Sequence, residues 1–230
     1  MGVAREIVRS LAGKPPGTML PGEADMVEQY GASRSSVREA LRILEAQGLI
    51  MIRPGPGGGP ILIGPQSDAL GKTQSLFFHL LGARYVDLLT AQAALEPMLA
   101  RLAAQNPDRE QVEPLRQYAG LNLDDVATDE AYSRLAFAFH SAVAAASGNP
   151  VLSLLAESVG DILAARLGGH SMTGPSRRQA MIDIHSAVAL AILDSNAELA
   201  GSLMASHAAD RCARISADQS GLINEPIDWH

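Results

Sequence analysis

The sequence predicts a mainly α-helical protein in two parts: a small three-helix module closed by a β-hairpin, and a larger bundle built of helices alone. Three observations predict it. Glycine and proline punctuate the first third of the chain and then thin out. Apolar residues recur at helical spacing on both sides of that change. Two short apolar runs, Leu49 to Arg53 and Ile61 to Ile63, flank the glycine-rich stretch Pro54-Gly55-Pro56-Gly57-Gly58-Gly59-Pro60.

Val3, Ile7, Val8 and Leu11 share one helical face, and Gly13 with Pro15-Pro16-Gly17 ends that first helix. A second short helix fits Glu23 to Tyr30, entered through Pro21-Gly22 and stopped by Gly31. A third opens at Ser33, a residue type whose hydroxyl caps free backbone N–H groups, and runs from Arg34 to about Gln47. Only Gly31-Ala32-Ser33 separates the second helix from the third, which demands a tight turn. The two apolar runs then read as a hairpin with a wide tip. Beyond residue 67 helices are expected at 68–81, 85–105, 108–120, 129–147, 150–168, 175–194 and 196–218. Breakers such as Asn106-Pro107, Gly148-Asn149-Pro150 and Ser195-Asn196 stand between them. Short connections make neighbours antiparallel in one bundle. The expected domains are therefore 1–66 and 67–220, with 221–230 a C-terminal tail lacking periodicity.

Composition narrows the function. At 47% hydrophobic and 19% charged, the chain is too apolar for disorder, and no stretch is apolar for long enough to span a membrane. Arg5, Glu6 and Arg9 interrupt the apolar core a secretory signal would need, so the expected location is the cytoplasm. Cys212 stands alone, so it forms no internal disulfide and supports no thiolate metal cluster. The net charge of −7 is unevenly divided: residues 1–66 carry seven Lys and Arg against six Asp and Glu, and the acidic excess lies beyond them. An acidic body suppresses non-specific contact with nucleic acid and leaves the small module to meet phosphates.

On the third helix, Val37, Ala40, Leu41 and Leu44 form an apolar face, with Arg34, Arg38 and Arg42 on an adjacent one. Like charges four residues apart cost roughly 0.2–0.5 kcal/mol per pair, and cations in a first turn oppose the helix dipole. Glu39 and Glu45 can relieve Arg42, whereas Arg34 and Arg38 have no acid following at i+3 or i+4. The helix is arranged for an external anion. Three helices, a tight second turn and a hairpin form the winged helix-turn-helix plan, whose third helix enters the major groove.

The runs Leu20-Pro21-Gly22-Glu23, Gly31-Ala32-Ser33-Arg34-Ser35-Ser36-Val37-Arg38-Glu39-Ala40-Leu41 and Leu44-Glu45-Ala46-Gln47-Gly48-Leu49-Ile50 resemble the GntR family of bacterial transcriptional regulators over residues 3–63. The resemblance implies that Arg34 and Arg38 contact bases and phosphates, that the hydroxyls of Ser33, Ser35 and Ser36 hold the DNA backbone, and that a wing-tip glycine, here Gly58, approaches the minor groove. Arg53 joins as an expected phosphate contact and Arg42 as a further expected DNA-binding residue. Ala24 departs from the basic residue many members carry there.

The second half contains one pentapeptide twice, His140-Ser141-Ala142-Val143-Ala144 and His185-Ser186-Ala187-Val188-Ala189. Each histidine shares its helix face with Val at i+3 and Ala at i+4, so both rings face a core. Counting from the turn between Ser195 and Asn196, His185 and His207 lie at matching levels, about 15–18 Å along their helices. Buried neutral imidazoles at one level suit a divalent ion such as Zn. Each is otherwise a core histidine held by hydrogen bonds; His79, His170 and His230 carry no expected role.

Leu95-Glu96-Pro97, Phe139-His140, Gly148-Asn149-Pro150, His185 and His207 resemble the FCD ligand-binding domain of the FadR subgroup, over residues 72–218. That resemblance implies an all-helical effector domain, a metal on His140, His185 and His207, an organic or sugar acid as effector, and a homodimer on a double-stranded DNA operator, acting as a repressor. Two positions depart from it. Ala136 stands where an aspartate ligand is expected, and Gln92 where an arginine grips the effector carboxylate. The competing class, a metal-dependent enzyme using the three histidines, lacks an acid or nucleophile one turn from His140 or His185 on the same face. The sequence thus points away from an enzyme.

Overall fold

The structure, a computed structural model, describes residues 2–55, 57–122, 126, 128–167 and 175–229. Contacts divide the chain into two units, Met1–Ala69 and Leu70–His230.

In the first unit, helices α1 (Gly2–Leu11), α2 (Glu23–Tyr30) and α3 (Arg34–Ala46) pack around Ile7, Met26, Val37, Leu41 and Leu44. Burying each such side chain contributes roughly 1.5–3 kcal/mol. Gly31 stops α2 in a left-handed conformation, φ 58°, which a residue with a Cβ adopts only at a cost. Ser33 then starts α3, its hydroxyl accepting from Ser36 N at 3.2 Å. Strand β1 (Ile50–Arg53) pairs antiparallel with β2 (Gly59–Leu62), Ile50 opposite Leu62 and Arg53 opposite Gly59. Met19 bridges Ile61 on the other edge of β2, so the hairpin is sewn to the segment before α2.

The division falls within α4 (Ser67–Leu80); in the second unit α5 (Tyr85–Gln105) packs along α10 (Ala197–Asp218) and is flanked by α7 (Asp129–Ala146), α8 (Pro150–Leu167) and α9 (Pro175–Leu193). Leu99, Leu115, Phe139, Val188, Ile192 and Met204 are fully enclosed at its centre. Among the described residues no helix is long and apolar enough to cross a membrane.

Two stretches differ from expectation. Residues 108–120 are not one helix: α6 (Arg109–Val112) gives way to a 3-10 turn over Glu113–Tyr118. Pro114 has no N–H to return to the Glu110 carbonyl, so the α pattern cannot continue through it. The stretch 221–230, expected to lack regular structure, begins inside α11 (Ser220–Ile223) and is tied down: Ile223 and Ile227 are buried, and Pro226 bridges Arg84. His79 Nδ1 lies 2.7 Å from the Ile227 carbonyl, which gives that histidine a structural partner. The breakers Gly168-Gly169 and Gly174, with His170 and His230, lie outside the described residues.

Candidate functional site

Two sites were expected, one in each unit. In the first, helix α3 presents Arg34, Arg38 and Arg42 on its exposed side while Val37, Ala40, Leu41 and Leu44 are buried. The hydroxyls of Ser35 and Ser36 each lie 2.9 Å from that of Ser33, so the three serines form one cluster at the helix start. Arg38 does not stand alone, as its own helix suggested: its Nε donates to Glu23 Oε2 at 2.9 Å. Sequence spacing missed this acid because it comes from α2, fifteen residues back. Both side chains are well exposed, and an ion pair in water contributes only about 0–1 kcal/mol, so a phosphate can displace the carboxylate. Glu45 does not relieve Arg42 either; its Oε1 accepts from Ile52 N at 3.1 Å and anchors β1 to α3.

Arg34, Arg42 and Arg53 make no side-chain hydrogen bond or ion pair among the described residues. Gly58 sits in the hairpin turn, its N–H donating to Gly55 O at 2.9 Å, where a Cβ would stand 2.2 Å from the Arg53 carbonyl. Any other residue would reshape the tip.

In the second unit, His140 from α7, His185 from α9 and His207 from α10 converge, with one ring nitrogen of each within 4.8 Å of the others. The α9–α10 turn sets the level. Ser195 takes a left-handed φ of 58°, Asn196 caps α10 through Leu199 N, and Arg109 Nη2 donates to Leu193 O at 2.7 Å. His185 and His207 consequently meet Nε2 to Nε2 at 3.1 Å, and His207 Nε2 lies 3.4 Å from His140 Nε2. Phe139 stacks on His185 with centroids 4.0 Å apart and fixes that ring.

Burial, reinforced by the charges of His140 and its neighbours, holds His185 well below the ordinary histidine range and lowers His207 to about 3. Both are neutral near pH 7, with lone pairs to offer. A four-coordinate ion bound at about 2.0–2.1 Å needs donor nitrogens about 3.4 Å apart, and the two spacings at His207, 3.1 and 3.4 Å, suit that need.

His140, alone of the three histidines, lines a cavity of about 610 Å³ between α5, α7, α8, α9 and α10. Gln92 and Ala136 both line it, so the two positions where the chain departs from the resembled domain border one space.

Sequence reasoning missed Glu96 and Arg211 as site residues. Glu96 Oε2 accepts from Arg211 Nη2 at 2.8 Å, and Glu96 Oε1 lies 3.0 Å from His140 Nδ1, off the line of a hydrogen bond. Burial opposes ionisation of Glu96, but the charges of His140 and Arg211 outweigh it and bring the carboxyl down to about 2. The available signal was spacing: Glu96 lies four residues after Gln92, and Arg211 four after His207, so each shares its helix face.

Residues 2–58 match the bacterial regulatory proteins of the gntR family, and residues 87–210 match the FCD domain. An uncharacterised HTH-type transcriptional regulator of Mycobacterium tuberculosis is 36% identical over 102 residues, a match spanning 44% of this chain and 41% of that protein's length. The HTH-type transcriptional regulator YieP of Escherichia coli is 30% identical over 80% of both chains. The HTH-type transcriptional repressor NanR of Cronobacter sakazakii is 28% identical over 65% of this chain and 58% of its own. Among solved structures, a Streptococcus agalactiae GntR superposes with a TM-score of 0.71 at 24% identity, covering 92% of this chain and 98% of that one, which shows the shared fold.

Proposed function

Since the chain belongs to the gntR family of bacterial regulatory proteins and carries an FCD domain, we propose that it is a DNA-binding transcriptional regulator, a repressor, controlled by a small acid bound in its helical domain. The observation that carries the reading is the start of α3: a capped helix that offers Arg34, Arg38 and Arg42 to solvent beside a hairpin whose tip only glycine can form. Such a helix enters the major groove while the wing lies against the neighbouring backbone. Ser33, Ser35 and Ser36 supply hydroxyls to phosphates, Arg53 a further phosphate contact, and Gly58 the close approach of the wing. A twofold operator calls for a homodimer, and repression of genes is work done in the cytoplasm.

His140, His185 and His207 would hold a divalent ion such as Zn²⁺, which when bound supplies a Lewis acid for an anionic ligand. Ala136 offers no ligand atom, so three imidazoles are the protein's share, and Gln92 lends the effector a neutral hydrogen-bonding group. The same imidazoles would serve a metal-dependent enzyme, but the relatives are named as regulators.

The test is a titration of duplex DNA from upstream of the gene, followed by fluorescence anisotropy at several salt concentrations. Affinity is expected to fall steeply with salt, and Arg38→Ala to lose about 1–3 kcal/mol of binding. Equal binding by both proteins at every salt concentration would remove α3 from the interface.

A further inference from the structure

Gln92 carries no charge, yet the cavity it lines is not without a cation beside the histidines. Arg211 reaches the same space from α10, with only 12% of its side chain exposed. Its guanidinium is held by Glu96 at one end and lies against His140 at the other. Nη2 donates to Glu96 at 2.8 Å, Nη1 lies 3.0 Å from His140 Nε2, and Nε is buried with no acceptor. The contact at Nη1 is an alternative to any other use of the His140 lone pair. An ion held on the three histidines would take that lone pair and leave the Nη1 group without this partner. A buried donor in that position is destabilising unless an acceptor arrives.

The other arginines of the cavity are spent differently. Arg177 faces Asp218 at 3.7 Å with both side chains largely exposed, and Arg214 Nε donates to the Asp210 carbonyl. Arg211 is the one whose charge is buried beside the histidines, where a guanidinium offers two N–H groups to one carboxylate.

We infer that Arg211 is the anion clamp of this domain: held on Glu96, it grips the carboxylate of a ligand lying along His140, in place of a cation at position 92. The inference rests on the effector-binding reading and adds to it the residue that selects an acid over a neutral molecule. Glu96 is a positioning residue, acting through Arg211 rather than on the ligand. Its carboxylate also offsets the guanidinium charge next to the three imidazoles, so the clamp and a divalent ion can share one pocket.

Acetate, succinate and citrate, with glycerol as the neutral control, test this on the full chain with and without Zn²⁺. Thermal shift and calorimetry are expected to show binding of at least one of the three acids and none of glycerol. Arg211→Gln should weaken that acid at least tenfold, and Arg211→Lys should recover part of the loss. The double variant Glu96→Gln/Arg211→Gln leaves no unpaired buried charge, so it folds and should show the same loss. Zn²⁺ affinity, read by competition with a chromophoric chelator, should hold or rise in Arg211→Gln, where a neighbouring cation is gone and the Glu96 carboxylate remains. Equal acid affinity in all variants, a fall in Zn²⁺ affinity that parallels the loss of acid, or a wild-type protein indifferent to all three acids would each overturn the clamp. Operator binding, measured on the same samples, reports separately on the regulator reading.

Discussion

His185 and His207 face each other across 3.1 Å, and burial keeps both imidazoles uncharged, His207 down to about 3. In the unfolded chain the same groups titrate near 6.5. Below that value the unfolded chain binds protons that the folded protein refuses, so stability falls as pH drops. Glu96 acts in the same direction at lower pH: its folded value of about 2 lies beneath the ordinary 4.5, so its contribution is present above 4.5 and lost on further acidification. Protein freed of divalent ions is therefore expected to show a urea midpoint that declines steadily from about pH 7 to about pH 5. A flat profile there would mean the two rings are accessible to protons in the folded state. The surface pair Arg38–Glu23 carries a second expectation. Glu23→Gln should leave stability within about 1 kcal/mol, the range of exposed ion pairs, while tightening operator binding because a competing carboxylate is removed from Arg38. Weaker operator binding would instead make Glu23 a holder of the productive arginine geometry.

At the scale of elements, the helices were legible where a stop signal and a period coincide. Gly31 and Ser33 mark the turn before α3 to the residue, and counting outward from Ser195-Asn196 places His185 opposite His207 because helical rise is constant. What spacing along one helix cannot give is which neighbour faces it. Glu23 on Arg38, Glu45 on the Ile52 amide, and Glu96 between His140 and Arg211 all depend on how helices and strands pack. The segment after α10 escaped for another reason: Ile223 and Ile227 are too few to define a period, yet both belong to one buried cluster with Tyr85, Leu88 and Leu89 of α5. Backbone contacts complete the anchor, with Tyr85 N donating to Glu225 O and Ile227 N to Ala83 O. Ile227→Ala is expected to cost about 2–5 kcal/mol, as buried isoleucine truncations do, measured by chemical denaturation. A cost near zero would show that the segment can detach without loss to the bundle.

For the molecule as a whole, the division into Met1–Ala69 and Leu70–His230 separates two kinds of chemistry as well as two cores. The exposed arginines of α3 lie in the first unit, and the three histidines, with the cavity that His140 lines, lie in the second. Apart from the exposed side chains, each unit has its own closed set of buried residues, the first around Met26 and Leu44 and the second around Phe139 and Met204. Separate cores can melt separately. A ligand that binds only the folded form stabilises it by RT ln(1 + [L]/Kd), about 2.7 kcal/mol at one hundred times Kd. Because His140, His185 and His207 all belong to the second unit, Zn²⁺ should raise the transition of that unit and leave the other in place, and EDTA should reverse the shift. Calorimetry of the full chain, with His185→Ala as the control that loses the shift, measures this directly. If Zn²⁺ moves both transitions together in the absence of DNA, the two cores unfold as one, and a signal from the histidine pocket would reach the DNA-facing helix through shared stability rather than through a change between two folded arrangements.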